Sequence, residues 1–261
     1  MHGVRELALS GGRPGSGSPF SDWLRSGTWA KTLDSTMPML PTMAHEVVRL
    51  ALDPDVSATR ITTVVTKDPV LATRVLHLAN SAFSSPGAEI TTINDAIVRM
   101  GTGAVRNVVT SAGLTSRLAD PKVYGNRGRE LMDHSIGVAY LAGLVAGRAG
   151  ESSEEAFLVG LLHDIGKLLV LKLAHDYQTR TRVQLNEIEI EASLAANHAE
   201  FGGVLVTQWK LPAHLKDPLV WHHEPLRARE HPRAAAVAYV ANRLAHRYGF
   251  GCPTEAFEPL A

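Results

Sequence analysis

From about residue 37 onward, apolar residues recur at helical spacing, and the chain reads as a succession of short amphipathic helices. In "LPTMAHEVVRLALDPD", Met43, Val47, Leu50 and Ala51 form one stripe that stops at Asp53-Pro54. Ser57 is placed to cap a second helix with Ile61, Val64 and Val65 inward. Asp68-Pro69 then supplies the cap and first turn of a third, carrying Leu71, Val75, Leu76 and Ala79. "TTINDAIVRMG" predicts a short helix closed by Gly101, and "GAVRNVVTSAGL" predicts another. After the polar stretch "ADPKVYGNRG", expected to be a loop, a longer helix is predicted over 128–148, stopping at Gly150. Ser152 and Glu155 form a capping box for the helix entering "AFLVGLLHDIGK". Further helices are expected near 165–177, 184–197, 199–209, 213–222 and 232–248, with Pro212, Pro225 and Pro232 as punctuation. No segment alternates at period two between turn signals, so the fold class predicted is all-α.

The first 33 residues break this pattern. "SGGRPGSGSP" has a linker composition, and residues 1–33 are expected to be flexible, although Phe20, Trp23 and Trp29 leave room for docking. Equal numbers of basic and acidic residues, 26 each, leave no electrostatic footprint for nucleic acid, which ranks last among partners. Apolar runs are broken by charge well short of a membrane span, and residues 1–19 lack the apolar core of a secretory leader. With Cys252 as the single cysteine, a cytoplasmic location is expected.

Candidate chemistry lies in the second half. "GLLHDIGK" sets His163 beside Asp164 with Lys167 one turn on, and these are read as lying on one helix. His134 sits in "MDHSIGVAYLAG", His198 in "NHAEFGG", and His222-His223 in "WHHEP". Imidazole with carboxylate suits a transition metal in an open site. Each residue also has a plainer reading. His134 reads equally as a hydrogen-bonded core histidine, Lys167 as a solvated charge or an ion-pair partner of Asp164, and Asn80-Ser81 as a helix stop that orders the next loop. His45, His77, His175, His214, His231 and His246 show no constellation and are read as surface or core.

"MDHSIGVAYLAG", "GLLHDIGKL", "NHAEFGGVLVTQWKLP" and "HHEP" resemble, in order, the blocks of the HD superfamily of metal-dependent phosphohydrolases. "KDPVLATRVLHLANSAF" and "AIVRMG" in the first half are similar to the N-terminal lobe of the HDOD (HD-related output domain) family, so that the likeness runs over roughly 34–248. This resemblance implies a two-lobed helical fold: an N-terminal lobe over 34–118, an HD-like lobe over 119–248 and a tail over 249–261. It implies a bacterial regulatory module acting mainly through a protein partner. The metal positions carried over are His134, His163, Asp164, His198, His222 and His223, for Fe, Mn or Zn at partial occupancy. Lys167 falls where related hydrolases keep a lysine near phosphate, and it would be the catalytic candidate if the chain is a hydrolase. Two departures oppose that alternative, a metal-dependent phosphohydrolase acting on a nucleotide or phosphomonoester. Asn242 stands where the hydrolases carry their last aspartate, and Glu224 is followed by "PLRAREHPR" rather than by a glycine-tyrosine-proline block.

Overall fold

The structure is a computed structural model that describes residues 18–29, 42–53, 55–82, 89–118 and 121–250. Among the described residues there are helices and turns but no strands. The helices are α1 (Pro19–Arg25), α2 (Thr42–Ala51), α3 (Ala58–Thr66), α4 (Pro69–Ala82), α5 (Ile93–Met100), α6 (Thr102–Leu118), α7 (Pro121–Ala149), α8 (Ser153–Leu162), α9 (Gly166–Thr181), α10 (Glu187–Gln208), α11 (Lys216–Trp221) and α12 (Pro232–Arg247). No described helix is long and apolar enough to cross a membrane.

The start signals act as their chemistry dictates. Ser57, Thr92 and Ser152 each accept a hydrogen bond from the main-chain N–H three residues on, and Asp68 Oδ1 accepts from the N–H groups of Val70 and Leu71. Asn80 exchanges hydrogen bonds of 2.9 Å with both main-chain groups of Ile90, tying α4 to the approach of α5.

Three stretches differ from their sequence patterns. The "ADPKVYGNRG" stretch is largely helical: α7 starts at Pro121 and kinks at Gly125 (φ 57°, ψ −144°), so two helices abut where a loop is expected. The helices expected over 184–197 and 199–209 are one, α10, opened by an Asn186–Glu189 capping box. Within it Gly203 allows a close approach to α11, since a Cβ there would lie 2.7 Å from Val220 Cγ2. Within the segment expected to be flexible, residues 18–29 pack on the C-terminal lobe. Phe20 is fully buried against Tyr177 (ring centroids 5.2 Å apart), and Trp29 stands edge-on to Phe201 at 4.9 Å. Burying each such ring contributes on the order of 1.5–3 kcal/mol, which outweighs the linker composition beside it. Residues 1–17, 30–41 and 251–261, Cys252 among them, and the Met43 side chain lie outside the described residues.

One core gathers α2–α6 around Leu50, Ile61, Val65, Leu71, Val75, Ile93, Val105 and Val109. A second gathers α7–α11 around Phe157, Leu158, Leu161, Leu168, Leu169, Phe201, Leu205 and Leu219. Helix α2 faces both: Val47 and Leu50 point into the first, and Ala44, Val48 and Ala51 into the second. Arg106 on α6 bridges the lobes, donating through Nη1 to the Asp53 carbonyl (2.9 Å) and pairing through Nη2 with Glu154 on α8 (2.7 Å).

Candidate metal centre

Two close helix approaches bring the histidines together. A Cβ on Gly160 would sit 2.8 Å from Ala139 Cα, so α8 lies directly on α7. A Cβ on Gly166 would overlap the His198 carbonyl oxygen, so the start of α9 touches the middle of α10. Glycine at these positions lets backbones meet where any side chain would hold them apart. Between the two contacts lie His163 and Asp164. They occupy the tight turn joining α8 to α9 and not a continuous helix, a departure from the sequence reading. The turn lets both side chains point inward. His134 comes from the middle of α7, His198 from α10, and His222 and His223 from the turn after α11.

Asp164 is the focus. It is fully buried, and each carboxylate oxygen faces two imidazoles. Oδ1 lies 3.3 Å from His198 Nε2 and 3.6 Å from His222 Nε2. Oδ2 lies 3.3 Å from His163 Nε2 and 3.8 Å from His134 Nε2. Lys167 Nζ pairs with Oδ2 at 2.8 Å from the first turn of α9, buried instead of solvated. His223, the exposed member, sets its Nε2 2.9 Å from that of His198.

The opposite ring nitrogens fix the tautomers. His163 Nδ1 donates to the Gly160 carbonyl (2.7 Å), His198 Nδ1 to Leu194 (2.7 Å), His222 Nδ1 to Leu219 (2.6 Å), and His134 Nδ1 to Phe250. With its proton held there, a neutral imidazole turns a bare Nε2 lone pair toward Asp164, the arrangement that metal-binding histidines use. Burial depresses His134 and His198 to about 4, with the His163 charge adding to the effect at His134, and burial also lowers His222. At Asp164 burial pushes upward, but the charges of His163 and Lys167 outweigh it and hold the carboxyl well below the usual range.

These residues fit a metal. His134 Nε2, His163 Nε2 and Asp164 Oδ1 complete no hydrogen bond despite burial, an arrangement costly to leave uncompensated, while Oδ2 is met by the Lys167 ammonium. His198 and His222 turn lone pairs on each other at 3.3 Å. A shared cation resolves both problems. The donors form two groups, His134–His163–Asp164 and Asp164–His198–His222–His223, joined at Asp164. Imidazole and carboxylate donors suit Zn, Fe or Mn.

Asn242 is buried on α12 with its Oδ1 lacking a hydrogen-bond partner. His246, read from sequence as unconnected, lies one turn beyond Asn242, and its ring sits 4.9 Å from that of His134. That i,i+4 spacing was the available signal. The Phe250 carbonyl had none. His214 and His231 pair with each other, centroids 6.2 Å apart, and His45, His77 and His175 join neither ligand group.

The family model for the HDOD domain matches residues 37–225, and the chain belongs to that family. A curated relative, an uncharacterized protein of Treponema pallidum (strain Nichols), is 25% identical over 217 residues. The match takes in 78% of this chain but only 41% of the relative's length. Among solved structures, an HDOD domain protein of unknown function from Geobacter sulfurreducens aligns with a TM-score of 0.69 at 25% identity, covering 89% of this chain and 81% of that one. A candidate phosphohydrolase from Shewanella amazonensis SB2B aligns with a TM-score of 0.64 at 28% identity, covering 84% and 80%.

Proposed function

With membership of the HDOD family as the premise, we propose that this chain is a bacterial, cytoplasmic signalling module whose two helical lobes, 34–118 and 119–248, engage a regulatory protein partner. In this reading the His/Asp centre holds a transition metal that braces the C-terminal lobe. The observation that carries it is the burial of the centre: His163, Asp164 and His222 are wholly enclosed, and His134 and His198 nearly so, while His223 alone of the set is exposed. A phosphoester would need open approach to those atoms. Lys167 already neutralises Asp164 Oδ2, and neutral Asn242 takes the place of a carboxylate, so the site carries less negative charge for a second cation.

A second reading, a metal-dependent phosphohydrolase acting on a nucleotide or phosphomonoester, is favoured by the shared Asp164 and the two donor groups beside it. Bound metals would supply Lewis-acid activation of water toward phosphorus. The chain's own contribution would be the Lys167 ammonium, drawn from Asp164 to a phosphate oxygen. Elemental analysis of untagged protein, run beside a phosphodiesterase panel and a His163→Ala, Asp164→Ala control, separates the readings. The expected result is Fe, Mn or Zn below full occupancy and no turnover above the control. Metal-dependent turnover lost in the control reverses the order.

A further inference from the structure

We infer that the main-chain carbonyl of Phe250 positions His134, so that the turn ending α12 governs the His134–His163–Asp164 half of the centre. The inference rests on the metal reading above and extends it to how that half-site is assembled. Three of the imidazoles are oriented by carbonyls of their own helix turns, three or four residues back, and those partners exist as soon as the local helix forms. His134 alone is held across 116 positions of sequence, by the residue that follows Gly249.

The Phe250 carbonyl is itself firmly placed. Helix α12 ends with a left-handed stop: the Gly249 N–H donates to the His246 carbonyl (3.2 Å) and the Phe250 N–H to the Ala245 carbonyl (2.9 Å), with Gly249 at φ +81°. These are the two hydrogen bonds of a Schellman motif, which needs a residue tolerant of positive φ. The Phe250 side chain then rests on Gly137, one turn beyond His134, where an added Cβ would come within 3.0 Å of Phe250 Cβ. The His246 ring, from the same last turn of α12, packs on His134. Helix stop, glycine seat and stacked ring thus converge on one imidazole.

Loss of this acceptor frees the His134 proton to sit on either ring nitrogen, and on Nε2 it blocks the donor that faces Asp164. The second donor group contains no residue touched by the turn and should be indifferent. An added Cβ at Gly249 meets nothing within 4 Å, so substitutions there act through backbone conformation and not through collision.

The test compares full-length Gly249→Val, which disfavours positive φ, with Gly249→Asn, which tolerates it. Two readouts are taken: Mn(II) titration, and the Nδ1 proton of His134 by NMR in metal-free protein. Gly249→Val should weaken one Mn(II) site roughly 10- to 100-fold, the range for losing the group that orients a ligand, while the other site holds. Its His134 Nδ1 proton should exchange rapidly. Gly249→Asn should restore both readouts. If folded Gly249→Val keeps a protected proton and wild-type Mn(II) affinities, or if both sites weaken equally, the inference is overturned. Should Gly249→Val fail to fold, Gly249→Ala carries the same comparison at lower strain. A wild type that binds no Mn(II) removes the metal reading, yet the His134 proton still decides whether the turn positions the ring.

Discussion

The core of α2–α6 and the core of α7–α12 lie on either side of the same helix but differ in composition. The first is aliphatic at its centre, and Thr110, buried beside it, returns its hydroxyl proton to the Arg106 carbonyl of its own helix at 2.8 Å. The second encloses an aspartate, a lysine, two asparagines and four imidazoles within its aliphatic shell. Stability in the first follows from burial and has no direct dependence on proton or metal concentration. Stability in the second depends on how those charges are compensated, so solution conditions act on one lobe through its chemistry and reach the other only through packing.

Removing one charge from the polar core tests this contrast most severely. Lys167→Met leaves Asp164 without its buried ammonium and should cost about 3–5 kcal/mol in metal-free protein. Saturating Zn or Mn should recover much of that loss, because a bound cation replaces the missing one. A denaturation midpoint equally low with and without metal would contradict the contrast. In the aliphatic core, Leu71→Ala should cost about 2–5 kcal/mol, as large-to-small changes at buried leucines do, with the same loss at pH 5 and pH 8 and in either metal state. A loss that varies with metal would show that the lobes do not differ as described.

Acid should reveal the polar core in the metal-free protein. His134 and His198 hold folded values of about 4 against 6.5 in the unfolded chain, so the unfolded state binds more protons between those limits. The stability tied to them is full above pH 6.5, declines as pH falls, and levels off below about pH 4. Asp164, depressed in the folded state, adds a further decline below its ordinary value of 3.8. The combined loss should reach a few kcal/mol. Urea midpoints constant from pH 7 to pH 4.5 would rule it out.

Asn242→Asp should act on affinity more than on stability. It returns an anionic oxygen to α12, and metal occupancy by elemental analysis should rise. Hydrolysis of cyclic dinucleotides should stay at background, because charge without substrate positioning leaves most of a barrier in place. The smallest effect is expected on the surface of the first lobe. Glu46→Gln breaks the exposed pair with Lys67, 3.0 Å apart, and should change stability by less than about 1 kcal/mol, a difference that vanishes in high salt.

Local signals made most of the helices legible before any coordinates. Ser57, Asp68 and Ser152 announce helix starts through side chains that reach only a few residues. The six candidate donors were legible as a set because each lies in its own recognisable block, and the structure brings them together around Asp164. What failed had causes beyond local reach. The break expected between 197 and 199 is absent because α10 continues across His198, against whose carbonyl the start of α9 packs at Gly166. His163 and Asp164 look helical because the run around them is apolar, and the turn that aims both inward is imposed by packing at Gly160 and Gly166. Leu76, assigned to the inward stripe, is only partly buried, so the phase of α4 was read slightly too broadly. The Phe250 carbonyl carries no side-chain identity, so no residue pattern could reveal it.

Because α2 presents one face to each core and Arg106 joins α6 to α8, neither lobe can open without stripping contacts from its neighbour. Heat should therefore melt the chain in a single transition, with calorimetric and van 't Hoff enthalpies that agree. Occupancy of the His/Asp centre then raises the melting temperature of the whole molecule, and slowed amide exchange in α3 and α4 would report an ion bound in the opposite lobe.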